Sequence, residues 1–247
     1  MALALRMPKR VYPRMPKALP LMEQYPLYAL YGDGVDDYVE VPDSASLQVT
    51  SAASIELWLN IPVGATGGHG VLNKYTTISD YDYMLYLGKS GGVAFYIKNP
   101  AGTGYAATYV TAVMDSRWHQ WFGTFDGRYV RMYFDGVLRA TTDTGGTTIR
   151  VTAGGPLRLM CGWGGYVTGL YALARLYSRA LSLAEIHRNM RNPLNPVRDG
   201  LVLFLPFLEG SGTSVGDYSG YGNNGTLYGG VSWRELAKYE LPAAIGS

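Results

Sequence analysis

The chain has 247 residues, long for one domain but within the range that single β-sandwich domains reach. Hydrophobic residues make up 47% and charged residues only 16%, against about 25% charged in an average globular protein, and the formal net charge is +2. That balance excludes a nucleic-acid partner held by the whole surface, the single Cys161 excludes an internal disulfide, and no stretch approaches a membrane-spanning run.

Residues 1–26 carry Pro8, Pro13, Pro16, Pro20 and Pro26 among Arg6, Lys9, Arg10, Arg14 and Lys17. Proline at that density forbids a continuous helix and favours extended chain, so the stretch reads as a basic arm lying on a surface, its own or a neighbour's. It shows no apolar run of a secretion signal before its prolines, and the chain is expected to be made as a cytoplasmic product.

From residue 27 the pattern is β. "ALYGDGVDDYVEVPDSASLQ", residues 29–48, sets Asp33, Asp36 and Asp37 in a glycine-containing turn and then alternates. "SIELWLNI" places Ile55, Leu57, Leu59 and Ile61 on one face and Glu56, Trp58 and Asn60 on the other, the pattern of a half-buried strand. "YMLYLG", "GVAFYIKN" and "YAATYVTA" read as further strands punctuated by "KSGG" and "PAGTG". Asp126-Gly127 and Asp135-Gly136 each stand between β-rich runs as hairpin signals, with Val130, Met132 and Phe134 on one face and Tyr129, Arg131 and Tyr133 on the other. In "RALSLAEIHRNMRNP", Ser182 and Glu185 form a capping box, Leu183, Ile186 and Met190 share a face, and Pro193 ends the run. This helix is expected on a sandwich edge. Strands of this kind must bury one face against a second sheet, so the fold class is all-β: a two-sheet antiparallel jelly-roll sandwich with one short surface helix.

The order "YGDGVDDYVEVPDSASLQVTSAASIELWLN", "RWHQWFGTFDGRYVRMYFDGVLRA" and "GLYALARLYSRALSLAEI" resembles the laminin G-like domains of the concanavalin A-like lectin/glucanase superfamily, over about residues 28–190. The resemblance implies the same jelly roll. In many relatives an acid after the Gly-Leu of the closing strand helps hold a structural calcium, whereas here Gly169 and Leu170 are followed by Tyr171, Ala172 and Leu173. Residues 199–230, "DGLVLFLPFLEGSGTSVGDYSGYGNNGTLYGG", look like the first strand and loop that relatives place ahead of the opening. Residues 27–233 are therefore read as one jelly roll whose segment 199–233 either closes its own sheet or is donated to a neighbouring copy, followed by a tail, 234–247.

The candidate chemistry is sparse. Asp33, Asp36 and Asp37 are oxygen donors of the type calcium takes, but Asp and Gly also make any tight β-corner, so no cofactor or metal is expected, with structural calcium as the alternative. A glucanase needs two acids facing one cleft, and Glu56 stands alone in its strand. His69, His119 and His187 have no nucleophile or carboxylate beside them in sequence, so no catalytic residue and no enzyme is expected, with His119 structural. Trp163, Tyr166, Tyr81 and Tyr83 fall in or beside glycine-rich loops and are the candidate ligand-binding residues, against the alternative that Trp163 only packs a sheet edge. The function expected is that of a non-enzymatic structural or decoration protein of a phage or archaeal virion. Its termini would reach other copies or other virion proteins, with no nucleic acid and no membrane insertion. The alternative is a lectin-like carbohydrate-binding adhesion module.

Overall fold

The computed structural model describes residues 28–77, 80–110 and 113–237. In chain order the strands are β1 (Tyr28–Asp33), β2 (Tyr38–Val41), β3 (Ala53–Asn60), β4 (His69–Thr77), β5 (Asp80–Leu87), β6 (Val93–Lys98), β7 (Gly104–Tyr109), β8 (Trp118–Phe125), β9 (Tyr129–Phe134) and β10 (Val137–Asp143). There follow β11 (Leu157–Leu159), β12 (Cys161–Gly162), β13 (Gly165–Tyr166), β14 (Thr168–Tyr177), helix α1 (Leu183–Arg191), β15 (Leu201–Leu205), β16 (Ser214–Val215), β17 (Gly225–Tyr228) and β18 (Ser232–Glu235). One sheet runs β10-β9-β8-β3-β14-β1-β18, with β15 also pairing β14, and the facing sheet runs β16-β17-β2-β11-β4-β5-β6-β7.

Alternation in the sequence decides what fills the space between the sheets. Ile55, Leu57 and Leu59 of β3 and Val130, Met132 and Phe134 of β9 meet Leu85, Leu87, Phe95 and Ile97 from the opposite sheet in one cluster. Each fully buried side chain of this size stabilises the fold by about 1.5–3 kcal/mol. The turn after β9 is a two-residue loop, Val137 pairing Phe134, in which Asp135 and Gly136 take φ of 49° and 71°, the left-handed pair that a type I′ hairpin requires.

Helix α1 begins with both halves of the capping box formed by Ser182 and Glu185. It lies on the outer face of the β3-containing sheet rather than on the expected edge. The reason is in the outward residues of the central strands: Phe122 and Tyr177 pack with Ile186, and Trp58 and Trp118 with Met190, so a large apolar surface needs a cover. Beneath the helix, Glu56 accepts hydrogen bonds from Arg175 Nη1 at 2.7 Å, Gln120 Nε2 at 2.8 Å, Asn189 Nδ2 at 3.1 Å and Trp58 Nε1 at 3.2 Å. Both members of the Glu56–Arg175 ion pair are 0% exposed.

The C-terminal segment pairs within the same chain. β15 lies against β14, β17 against β2, and β18 against β1. Its polar loop is a staple: Asp217 Oδ1 accepts from Phe204 N and Ser219 N, Oδ2 accepts from Asn223 N, and Asn223 Nδ2 donates to the Val202 carbonyl. The basic arm, residues 1–26, and residues 238–247 of the tail lie outside the described residues.

Candidate ligand-binding face

The outer face of the β4-β5-β6 sheet is built by outward side chains: Tyr75 of β4, Tyr81, Met84 and Tyr86 of β5, and Tyr96 of β6. Over it folds the β12–β13 hairpin, which carries Trp163 at its tip. The hairpin is held from below by Asn73 of β4, 1% exposed, whose Nδ2 donates to the Cys161 carbonyl at 2.7 Å. Glycines at 70 and 162 leave the space this amide occupies, since a Cβ on either would sit inside it. The Trp163 carbonyl accepts from Gly70 N at 3.2 Å, closing the hairpin onto β4.

Trp163 remains 47% exposed. Its ring lies 6.0 Å from Tyr81 at 25° and 6.4 Å from Tyr86, while Tyr96 stands edge-on at 5.9 Å from Tyr81 and 5.7 Å from Tyr86. The four rings therefore support one another in offset and edge-to-face contacts.

A second aromatic group lies beside the first. The Arg158 guanidinium sits 5.0 Å from the Tyr38 ring centroid and 5.4 Å from that of Tyr75. It donates to Glu40 Oε2 from Nε at 2.7 Å and to Tyr75 Oη from Nη1 at 2.9 Å. Tyr38 stacks on Tyr228 at 4.8 Å and faces Tyr166 at 6.4 Å. Tyr38, Tyr75, Arg158 and Tyr166 border a depression of about 220 Å³, and Tyr86, Tyr96 and Lys89 border another of about 220 Å³. Burial pushes the Tyr75 hydroxyl up to about 12 and the Cys161 thiol up to about 11, so both stay protonated and Cys161 is no nucleophile at neutral pH. An exposed indole, backed by buried and half-buried tyrosine rings and edged by a few fixed polar groups, can stack an apolar ring surface while the polar groups hydrogen-bond its substituents.

Of the expected ligand-binding residues, Trp163, Tyr81 and Tyr166 lie on this face. Tyr83 does not: it is 1% exposed, in the core between the sheets, and its hydroxyl donates to the Leu47 carbonyl at 2.8 Å. The pairing of β4 with β5 is irregular on both sides of Tyr75, and there Tyr81 and Tyr83 part to opposite faces instead of sharing one. Tyr38, Tyr75, Tyr86, Tyr96, Arg158 and Glu40 join the site without having been expected. Tyr86 carried a signal, since it alternates with the buried Leu85 and Leu87.

Asp33, Asp36 and Asp37 approach one another within 4.8 Å, but Asp37 Oδ2 accepts from Asp33 N and Oδ1 from Gly230 N, while Asp33 Oδ1 accepts from Val35 N. These oxygens close the β1–β2 corner onto the β17–β18 turn, and after Leu170 the closing strand β14 offers a buried Tyr171 rather than a further carboxylate. His119 bridges Asp135, at 2.7 Å, and Asp115, at 3.2 Å. Burial alone would lower its pKa, but these two carboxylates outweigh that and raise it. His187 Nε2 lies 2.9 Å from the Gly136 carbonyl, and His69 is lowered by burial.

A family model of the concanavalin A-like lectin/glucanases superfamily matches residues 33–187, more than half of the chain. No curated protein sequence matches. Among solved structures, a Bacteroides ovatus protein assigned as carbohydrate-binding superposes with a TM-score of 0.64 at 18% identity, over 86% of this chain and 60% of that one. The chain thus spans 60% of that protein's length. A heptameric SAP-like pentraxin from Limulus polyphemus gives a TM-score of 0.58 at 9% identity, covering 90% of this chain and 99% of that one. The binding domain of Paraclostridial Mosquitocidal Protein 1 gives 0.52 at 11% identity, over 70% and 53%. At these identities the likeness shows the fold, and together with the family match it establishes that the chain belongs to the concanavalin A-like lectin/glucanases superfamily.

Proposed function

We propose that the chain is a non-catalytic carbohydrate-binding module that holds a glycan on its aromatic face, with Trp163 as the central platform. The observation that carries this reading is an exposed indole, stacked over Tyr81 and Tyr86, on a hairpin fixed by Asn73. Membership of a lectin/glucanase superfamily and likeness to a carbohydrate-binding protein support it. The non-catalytic part rests on two carboxylates: Glu56 is sealed under helix α1 and Glu40 is held by Arg158. The expected virion role finds no support in the comparisons, and the arm it would use lies outside the described residues. The comparisons favour the alternative reading, which takes its place.

The test is retention of the full chain on a panel of immobilised polysaccharides, with Trp163→Ala beside it. Truncating a central aromatic contact costs about 2 kcal/mol or more, about thirtyfold in Kd. Equal retention of the variant, or no retention of the parent on any polysaccharide, would refute the proposal.

A further inference from the structure

The hairpin that presents Trp163 rests on a histidine. His69, the first residue of β4, is half-buried, and the tip of the β12–β13 hairpin is laid across its imidazole. Gly164 and Gly165 take φ of 100° and 139°, and neither has room for a side chain against the ring: a Cβ on Gly164 would stand 2.7 Å from His69 Nδ1, and one on Gly165 3.3 Å from Cε1. The residues flanking His69 make the remaining contacts. Gly70 N donates to the Trp163 carbonyl, and Gly68 lies under the stem of Lys89, whose Cγ and Cε would be 3.0 and 3.2 Å from a Cβ placed there.

The imidazole is placed to be neutral. Its Nδ1 is buried and makes no well-formed hydrogen bond among the described residues. Burial holds the pKa of His69 below its ordinary 6.5; the Gly164 backbone pulls the other way, and the Lys89 ammonium adds to the lowering. The loop before it, residues 61–68, has no charged residue, Leu87 stands opposite on β5 with Tyr86 beside it, and the hairpin's own titratable groups are Cys161 and Tyr166. Among the described residues Lys89 is thus the charged group that acts on the ring. A proton on His69 is accommodated by lifting the hairpin away from it.

We infer that His69 is a pH gate for the aromatic face: neutral, it supports the hairpin that holds Trp163 over Tyr81 and Tyr86, and protonated, it releases that hairpin, so a ligand is held at neutral pH and let go in mildly acidic surroundings. The hinge stands on the packing of His69 under Gly164 and Gly165; its consequence for a ligand rests on the glycan reading above. Because the folded pKa is the lower one, the contribution of neutral His69 is fully present above pH 6.5 and is lost as the pH falls through the folded value.

Cys161, the single cysteine and 5% exposed at the base of the hairpin, reports the opening with no ligand present. The experiment labels the full chain with 4,4′-dithiodipyridine from about pH 7.5 to about pH 5, as the parent, His69→Gln and Lys89→Gln, with a melting curve at each pH. The ratio of the parent's labelling rate to that of His69→Gln cancels the thiol's own pH dependence and should rise about threefold or more as the pH falls. Lys89→Gln, at an exposed position that leaves the fold intact, should show a smaller rise than the parent. Retention on the polysaccharide that the parent holds at neutral pH should fall over the same range, and fall less in His69→Gln. A labelling ratio constant with pH, or a steeper response in Lys89→Gln than in the parent, would overturn the gate. A parent that retains no polysaccharide at any pH, yet labels as expected, supports the gate and refutes only the glycan reading.

Discussion

Asn73→Ala tests whether the aromatic face depends on one buried amide. The substitution leaves the Cys161 carbonyl buried without its donor, which costs about 1–3 kcal/mol, and opens a cavity beneath the hairpin worth about 1 kcal/mol. A total of about 3 kcal/mol corresponds to a fall of about 6–12 °C in Tm for a domain of this size. Affinity for whatever polysaccharide the parent retains should fall as well, because the hairpin that presents Trp163 loses its anchor from β4. Gly162→Ala supplies the internal control. Its new Cβ would collide with the Asn73 amide in the parent, but should be accommodated once that amide is gone, so the two substitutions must be strongly non-additive. Melting curves on the parent, both single variants and the double variant measure this directly. A Tm change under about 2 °C for Asn73→Ala, or equal damage from Gly162→Ala in both backgrounds, would refute the reasoning.

The buried pair and the bridged histidine make two further predictions. Glu56→Ala should destabilise by about 3–5 kcal/mol in urea unfolding, because Arg175 is left charged under α1, while Glu56→Leu with Arg175→Met should recover most of the loss; a cost below about 1 kcal/mol for the single change would sink this account. His119 has its pKa raised above the ordinary 6.5, so its contribution is fully present below pH 6.5 and is lost as pH rises through the folded value. The Tm difference between the parent and His119→Gln should therefore shrink from mildly acidic to alkaline pH, and a difference constant with pH would count against the bridge.

The fold was legible wherever the signal was local. "SIELWLN" became β3 with its apolar residues inward, and Asp135-Gly136 became a two-residue turn. Ser182 and Glu185 capped the helix as expected. Local pattern did not reveal what covers Trp58 and Phe122, because the apolar face of a helix does not say which surface receives it. The proposed binding face was half legible for the same reason. Trp163 and Tyr166 announced themselves by their glycines, but Tyr38 and Arg158 reach the site only through pairing of β2 with β11, strands more than a hundred residues apart. Tyr83 was misplaced because nearness to a glycine-rich loop does not say which face of a strand a side chain takes, and where β5 meets β4 the pairing is irregular.

The pairing of β18 with β1 sets how this domain would answer to mechanical load. Tyr28 stands opposite Glu235 in an antiparallel ladder, so the chain enters β1 and comes out of β18 side by side. A pull on those ends meets the hydrogen bonds one at a time, Tyr28–Glu235 first and Tyr31–Ser232 last, rather than loading them together. β18 is an outer strand, so it would peel away before β14 and the inter-sheet core are strained. A domain tethered by both flanks should thus yield early and gently at this seam while the aromatic face, on the other sheet, stays assembled.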